Sequence, residues 1–402
     1  MLTLEMLAAA HGDCLWIEYG SGQEVRRILI DGGPAHTYPA LRERILQLGA
    51  DDRRFELLIV THIDADHIEG MVRLLQDAHA LGCHFERIWF NGREQLNQIF
   101  DPAGAPLGAV QGELLGLLIA DYEAQTDRKV WNRDLAEGLA AIDRSLGALP
   151  VVDLPGDCRL TLLSPDHDRL LELKTRWREE LRKAKVTSGD TATLRRLLAS
   201  STALRPLGDV LGDSGPAMEA RYEVPDPEGR DLAAGHADTL GRGEGEPGAD
   251  AKFGGDTSLA NGSSIAVLLE YPKDKPTVRL LLGGDAWPSV LEASIDVLQP
   301  EAGSRLALNG FKLPHHGSVA NLSASLLGKL RCKNYLVSTS GAVFRHPHAR
   351  AIELLLSEHA GQGKPQLHFN YFTETTRPWY EETDQKAGGY VAFFPKGLSL
   401  VL

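Results

Sequence analysis

The string Thr61 to Gly70, T-H-I-D-A-D-H-I-E-G, places four side chains able to bind a metal, His62, Asp64, Asp66 and His67, within six positions. Imidazole with carboxylate suits zinc, manganese or iron, and the carboxylates supply the negative charge that two neighbouring divalent ions need. The apolar run at 55–60, F-E-L-L-I-V, comes directly before them and reads as a buried strand. On an extended exit from that strand His62 and Asp64 project to one side, while Asp66 and His67 fall where the next helix begins. One turn of chain thus offers ligands for two cations. The plainer alternative is a polar strand-to-helix loop in which Asp66 caps the helix.

Other polar residues share that placement. Asp31 ends I-L-I-D before Gly32-Gly33-Pro34, Asp285 follows L-L-L-G-G, and His315 and His316 follow F-K-L-P. In a layered α/β fold the ends of neighbouring strands converge on one edge, so these separate stretches are expected to build one site, with Asp31 supporting it from behind. His346 and His348, in the string H-P-H, are candidates for the general acid that a leaving oxygen needs, or else simply start the following helix. Lys312, Arg345 and Arg350 are candidates for contacts to flanking phosphates. Asn91, Asn261 and Ser318 are candidates for polar contacts to a substrate, with turn formation as the alternative.

The elements that must hold these residues follow from periodicity. Strands are expected at 1–9, 14–19, 27–31, 55–60, 85–90, 158–163, 263–271, 277–282, 335–339, 366–372 and 389–394, and helices at 38–48, 68–81, 107–125, 131–146, 169–185, 288–298, 323–330 and 349–359. Interleaving of this kind points to an α/β fold, read as a single domain over 1–402 with a helical insertion at 101–185. The stretch 189–261 has no Ile and no Trp, many glycines, and too little apolar surface to offset ordering entropy, so it reads as a long mobile insertion. Its arginines (Arg195, Arg196, Arg205, Arg221, Arg230, Arg242) are expected to be open to a trypsin-like protease or a regulatory protein partner.

Of the 402 residues 43% are hydrophobic, ample for a core. A net charge of −13 excludes a general nucleic-acid coat or a binder of anionic membranes, and leaves room for local capture of an anion at a metal. Four isolated cysteines with no C-x-x-C pair are expected to be reduced and buried. No basic, apolar leader opens the chain and no run of about 18 apolar residues occurs, so the expectation is a soluble cytoplasmic protein without a membrane partner.

Taken together, the strings resemble the metallo-β-lactamase fold, and within it the hydrolase domain of the competence protein ComEC and its free-standing relatives. H-G-D-C-L-W-I-E-Y resembles the opening strand of that group, L-I-D-G-G the first motif, and T-H-I-D-A-D-H-I-E-G the metal motif in the version where the second histidine is Asp. N-G-S-S-I-A-V-L-L-E-Y, L-L-L-G-G-D-A, L-P-H-H-G-S and H-P-H continue the order, so the likeness covers 1–92 and 261–402. The resemblance implies an αββα four-layer sandwich with a one- or two-metal site at the sheet edge; two divalent metal ions are expected, zinc or manganese, with magnesium also suited by the carboxylate-rich donor set. It implies His62 and Asp64 on one ion, Asp66 and His67 on the other, Asp285 bridging, and His315 or His316 completing the second site. The further histidine that many members carry has no clear counterpart among His79, His84, His167 and His236. The expected chemistry is phosphodiester hydrolysis of a nucleic acid or nucleotide, with Asp66 orienting an activated water; hydrolysis of esters, lactones or thioesters is the alternative, as is an effector activated by a partner protease.

Overall fold

Along Leu2–Met6 every second side chain is buried, the period of a strand with one face on a core. The same logic runs through the chain and yields two mixed sheets. The computed structural model describes residues 1–21, 24–99, 109–174, 189–200, 255–301, 303–394 and 399–401. Beside a two-stranded parallel pair, Arg54–Phe55 with His84–Phe85, the strands of the two large sheets are β1 (Leu2–Met6), β2 (Leu15–Ser21), β3 (Glu24–Ile30), β4 (Leu57–Ile59), β5 (Ile88–Trp89), β6 (Val151–Leu154), β7 (Cys158–Ser164) and β8 (Ala266–Tyr271). They continue as β9 (Val278–Leu282), β10 (Leu306–Lys312), β11 (Leu330–Val337), β12 (Gln366–Phe369), β13 (Val391–Phe393) and β14 (Ser399–Val401).

The first sheet has the order β14-β1-β2-β3-β4-β5, antiparallel as far as β3 and parallel from β3 to β5. The second runs β13-β12-β11-β10-β9-β8-β7-β6, parallel from β9 to β13 and antiparallel on the other side. Leu4, Ile17, Ile28 and Leu57 of the first sheet share one buried cluster with Leu160, Val267, Leu269 and Leu280 of the second, so the sheets pack face to face. The helices α1 (Tyr38–Leu46), α2 (Ala65–Leu81) and α3 (Ala109–Thr126) cover the outer face of the first sheet. A helix at Pro288–Leu298 and another at Ala349–Glu358 cover the second. Helix, sheet, sheet, helix is the αββα layering that the resemblance implies.

The parallel strands carry the consequence for function. β3, β4, β9, β10 and β11 all end at one edge, and the residues just after them are Asp31, Thr61 to His67, Asp285, His315 with His316, and Ser338. Gly70 lets α2 approach the turn after β3: its N–H donates to the Gly33 carbonyl at 2.8 Å, and a Cβ there would overlap the Gly32 carbonyl. Gly32 N–H in turn donates to the His67 carbonyl at 2.9 Å, so helix and turn are fixed to each other where the ligands sit.

Three sequence expectations are corrected. Residues 131–146 are not a helix: Asn132, Glu137 and Gly138 have positive φ, and Trp131 bridges to Ile88 while Ile142 bridges to Asp166. The segment 101–185 is not all helical insertion, since β6 and β7 extend the second sheet beside β8. In 189–261, Thr191–Ser200 is a helix that buries Leu194 and Leu198, spaced four apart, in the cluster beneath α3. Positions 201–254, where most of the expected insertion and four of its six arginines fall, lie outside the described residues. All four cysteines are buried thiols. Among the described residues no helix is long and apolar enough to cross a membrane.

Candidate metal centre

Asp31 leaves β3 in the left-handed region at φ 58, a conformation aspartate tolerates better than most residues, and its carboxylate is wholly buried. One oxygen, Oδ1, accepts the Thr61 N–H at 2.8 Å; Oδ2 accepts the Thr61 hydroxyl at 2.7 Å and lies 2.8 Å from His67 Nδ1. The His67 proton therefore sits on Nδ1, and its Nε2 lone pair faces away from Asp31. His316 is fixed in the same sense, because its Nδ1 is 2.9 Å from the Ser338 carbonyl, which can only accept.

Both Nε2 atoms then face one another at 3.3 Å. Asp285 Oδ2 is 3.5 Å from the first and 3.6 Å from the second, and Asp66 Oδ2 is 3.9 and 3.5 Å from the same two atoms. Two imidazole nitrogens and two carboxylates thus surround one buried point, able to share protons in the metal-free protein or to give all four lone pairs to a cation. Ligands bound tetrahedrally at 2.0–2.2 Å stand about 3.4 Å apart, so the spacing is that of a divalent cation's shell. The residues present fit the metal.

The electrostatics agree. Burial favours neutral imidazole, yet Asp285, Asp66 and Asp31 push His67 well above the ordinary histidine value. Against the same burial, Asp285 and Asp13 raise His316 to about 9. Burial also favours neutral acids, but His67 and His316 hold Asp66 and Asp285 well below the usual carboxylate range. The point between them attracts positive charge.

A second pair of donors stands beside this set. His62 Nε2 is buried with no hydrogen-bond partner among the described residues and lies 3.4 Å from Asp64 Oδ2. The His62 and His67 rings are 4.2 Å apart at their centroids. Thr61 Oγ1 is 3.0 Å from His62 Nδ1, and because its own proton goes to Asp31 it accepts there, which aims Nε2 at the site. Asp64, not Asp66, is the residue at the start of α2, and its side chain makes no capping bond. His315 Nδ1 is 2.8 Å from Asn321 Oδ1, and its Nε2 is 3.9 Å from Asp285 Oδ2. Both His315 and His316 have positive φ, a strained pair held by bonds from His315 N–H to the Gly284 carbonyl at 3.1 Å and from Ser318 N–H to the His315 carbonyl at 2.8 Å.

Several candidates take other places. Lys312 is fully buried and ion-paired with Asp13, so it is not a surface contact for phosphate. Asn91 clamps the backbone of Ala140 through both its amide atoms, at 2.8 and 3.0 Å. Ser318 caps a short turn by accepting the Ala320 N–H. Arg345 pairs with Glu374 at 3.0 Å on the surface. Asn261 donates to Asp256 at 2.8 Å and lies 3.3 Å from His315, at the edge of the site. His348 starts the Ala349–Glu358 helix and accepts the Val319 N–H at 3.1 Å. His346 lies closer to the centre, its ring 4.9 Å from His315 and 6.3 Å from His316; burial, His315 and His348 hold it well below the ordinary histidine value. That keeps it neutral and counts against a resting imidazolium acid. His79 and His84 are exposed.

Two residues of the opening H-G-D string were not singled out from the sequence. Asp13 is buried, with ligand atoms of Asp13, His67, Asp285 and His316 all within 4.8 Å of one another. His11 stands near Asp66, and burial lowers its pKa. The available signal was the His-x-Asp spacing in a β1–β2 turn, which reads locally as an ordinary hairpin connection.

Residues 11–171 match the family model described as the Metallo-beta-lactamase superfamily, and the fold is that of a metallo-β-lactamase domain. Comparison with curated proteins finds no match.

Proposed function

We propose that this metallo-β-lactamase domain is a metal-dependent phosphodiesterase acting on nucleic acid or a nucleotide. The coarser reading, a metal-dependent hydrolase, rests on the superfamily match and on one observation: His67, His316, Asp66 and Asp285 converge with donor atoms 3.3–3.9 Å apart. Divalent ions held by these residues, with His62 and Asp64 beside them, would supply Lewis acidity toward phosphoryl oxygens and lower the pKa of water.

The residues of the chain do the rest. Asp66, ionised and 7% exposed, is the carboxylate that would accept a hydrogen bond from the attacking water and so orient it. α2 begins at Ala65, so its positive end faces the site and favours charge building on the phosphoryl group. His346, neutral and buried against His315, is placed to hydrogen bond the leaving oxygen. Half-buried His11 stands near Asp66, with exposed His36 stacked on it at 6.4 Å and Phe344 packed on it at 6.0 Å, so aromatic rings flank the centre on this side. Asp64, Asp66 and Asp285 make a hard donor set, so manganese is expected to support activity at least as well as zinc.

The test is hydrolysis by chelator-stripped protein reloaded with manganese or zinc, on linear DNA, RNA, cyclic dinucleotides, and simple esters, lactones and thioesters. Restored cleavage of a phosphodiester is expected. Metal-loaded protein that cuts esters and never a phosphodiester refutes the proposal.

A further inference from the structure

Lys312 closes β10 with no exposed surface, directly behind the ligands. Its ammonium is ion-paired with Asp13, lies 3.3 Å from the Gly284 carbonyl and stands 3.9 Å from Asp285 Oδ1. Asp13 is 1% exposed and its other oxygen lies 3.4 Å from His316 Nδ1. A buried lysine is costly unless paired, so a cation in this position needs a reason.

The two imidazoles show what it does. Each has a carboxylate behind it that strengthens it as a ligand: Asp31 also orients His67 by a bond to Nδ1, whereas the His316 ring is oriented by the Ser338 carbonyl and only faces Asp13, at 3.4 Å. Behind His67 stands Asp31, satisfied by the neutral donors of Thr61, so its charge acts undiminished. Behind His316 stands Asp13, whose charge is matched by an ammonium. The centre is surrounded by Asp13, Asp31, Asp64, Asp66 and Asp285, and among the described residues the one lysine or arginine ion-paired to any of these five is Lys312.

We infer that Lys312 is a resident cation of the metal centre, a positioning residue that offsets Asp13 and sets positive charge 3.9 Å from Asp285 Oδ1, on the side away from the histidines. It limits how tightly the site grips divalent ions, leaving the centre less anionic toward an anionic substrate. The inference rests on the metal-centre reading and not on the phosphodiester one.

Charge and mere structure give different signs. Lys312→Met removes a positive charge near the ion and should tighten binding; Asp13→Asn leaves the ammonium unmatched and should weaken it, each by about tenfold or more. The double variant exchanges one neutral pair for another and should return to within about threefold of the parent. The measurement is manganese and zinc affinity of the full chain by competition with a chromophoric chelator at fixed pH, with thermal midpoints of the metal-free proteins alongside. Opposite shifts in the single variants, cancelling in the double, are expected. Single variants that shift the same way, or that stay within about twofold while folded, overturn it. Should Lys312→Met not fold, the double variant decides: affinity near the parent upholds the charge balance, and affinity as low as that of Asp13→Asn overturns it. A parent that binds neither ion removes the metal centre and this inference with it, whatever the hydrolysis assays show.

Discussion

Replacing Asp31 by Asn should leave the fold nearly intact and disable the metal centre. Asparagine tolerates the positive φ at this position, so the turn after β3 keeps its shape. Its amide oxygen can keep the Thr61 N–H, 2.8 Å away, which puts NH2 where Oδ2 was, facing Thr61 Oγ1 at 2.7 Å and His67 Nδ1 at 2.8 Å. The amide then donates to both. His67 must accept at Nδ1 and carry its proton on Nε2, and Thr61, no longer donating to residue 31, is free to donate to His62 Nδ1 at 3.0 Å. Both imidazoles turn a proton toward the place of the ion. In the metal-free protein the His67 Nε2–H keeps an acceptor, Asp285 Oδ2 at 3.5 Å, so folding loses little. Were the tautomers unable to change, a buried donor would be left unpaired, at about 1–3 kcal/mol. Metal affinity should fall about 10- to 100-fold, or about 1.4–2.8 kcal/mol. Chelator competition reads the affinity, thermal unfolding the fold, and imidazole 1H–15N correlation spectra the tautomers. Wild-type affinity in the variant, or His67 still protonated at Nδ1, would refute the reasoning.

Other outcomes follow from single contacts. A Cβ at Gly12 would overlap the Asp66 carbonyl, so Gly12→Ala should lower stability by about 1–3 kcal/mol in denaturant unfolding and weaken metal binding through displaced Asp66. Asn321 holds His315 Nδ1 at 2.8 Å while donating to Asp256 at 2.8 Å and to the Asp285 carbonyl at 3.1 Å; Asn321→Ala should cut affinity for at least one ion about 10-fold or more, measured by stoichiometric titration. Burial lowers His368 to about 4, and its Nε2–H donates to Asn334 Oδ1 at 3.0 Å. Below about pH 6.5 the unfolded chain takes up this proton while the folded one does not, so stability falls as pH drops from about 6.5 toward 4. His368→Gln should flatten that part of the unfolding-midpoint profile, and an unchanged slope would remove the residue from the account.

Much of the layering was legible in the sequence because hydrophobic period and strand-end polar residues report the same thing. Pro288–Leu298 agrees with its helical spacing to the residue. His62, Asp64, Asp66, His67, Asp285 and the His315–His316 pair were legible as candidate ligands because each follows a strand. What was not legible depends on tertiary neighbours. Trp131 and Ile142 look helical by spacing, yet they are drawn into isolated bridges with Ile88 and Asp166. Lys312 looked like a surface cation because nothing local shows that Asp13, some 300 residues earlier in the chain, waits in the core to pair with it. Asp13 itself was hidden by a turn whose local pattern is that of any hairpin. Leu194 and Leu198 sit in a glycine-rich, arginine-rich stretch whose average composition masked one amphipathic turn pair.

The most direct test is a crystal structure of protein soaked in manganese, with anomalous scattering used to place the ions. The account predicts an ion about 2.0–2.3 Å from His67 Nε2, His316 Nε2 and carboxylate oxygens of Asp66 and Asp285, with any second ion about 3.5–4 Å away beside His62 and Asp64. Manganese found elsewhere, or a centre that stays closed on itself in saturating metal, would contradict it.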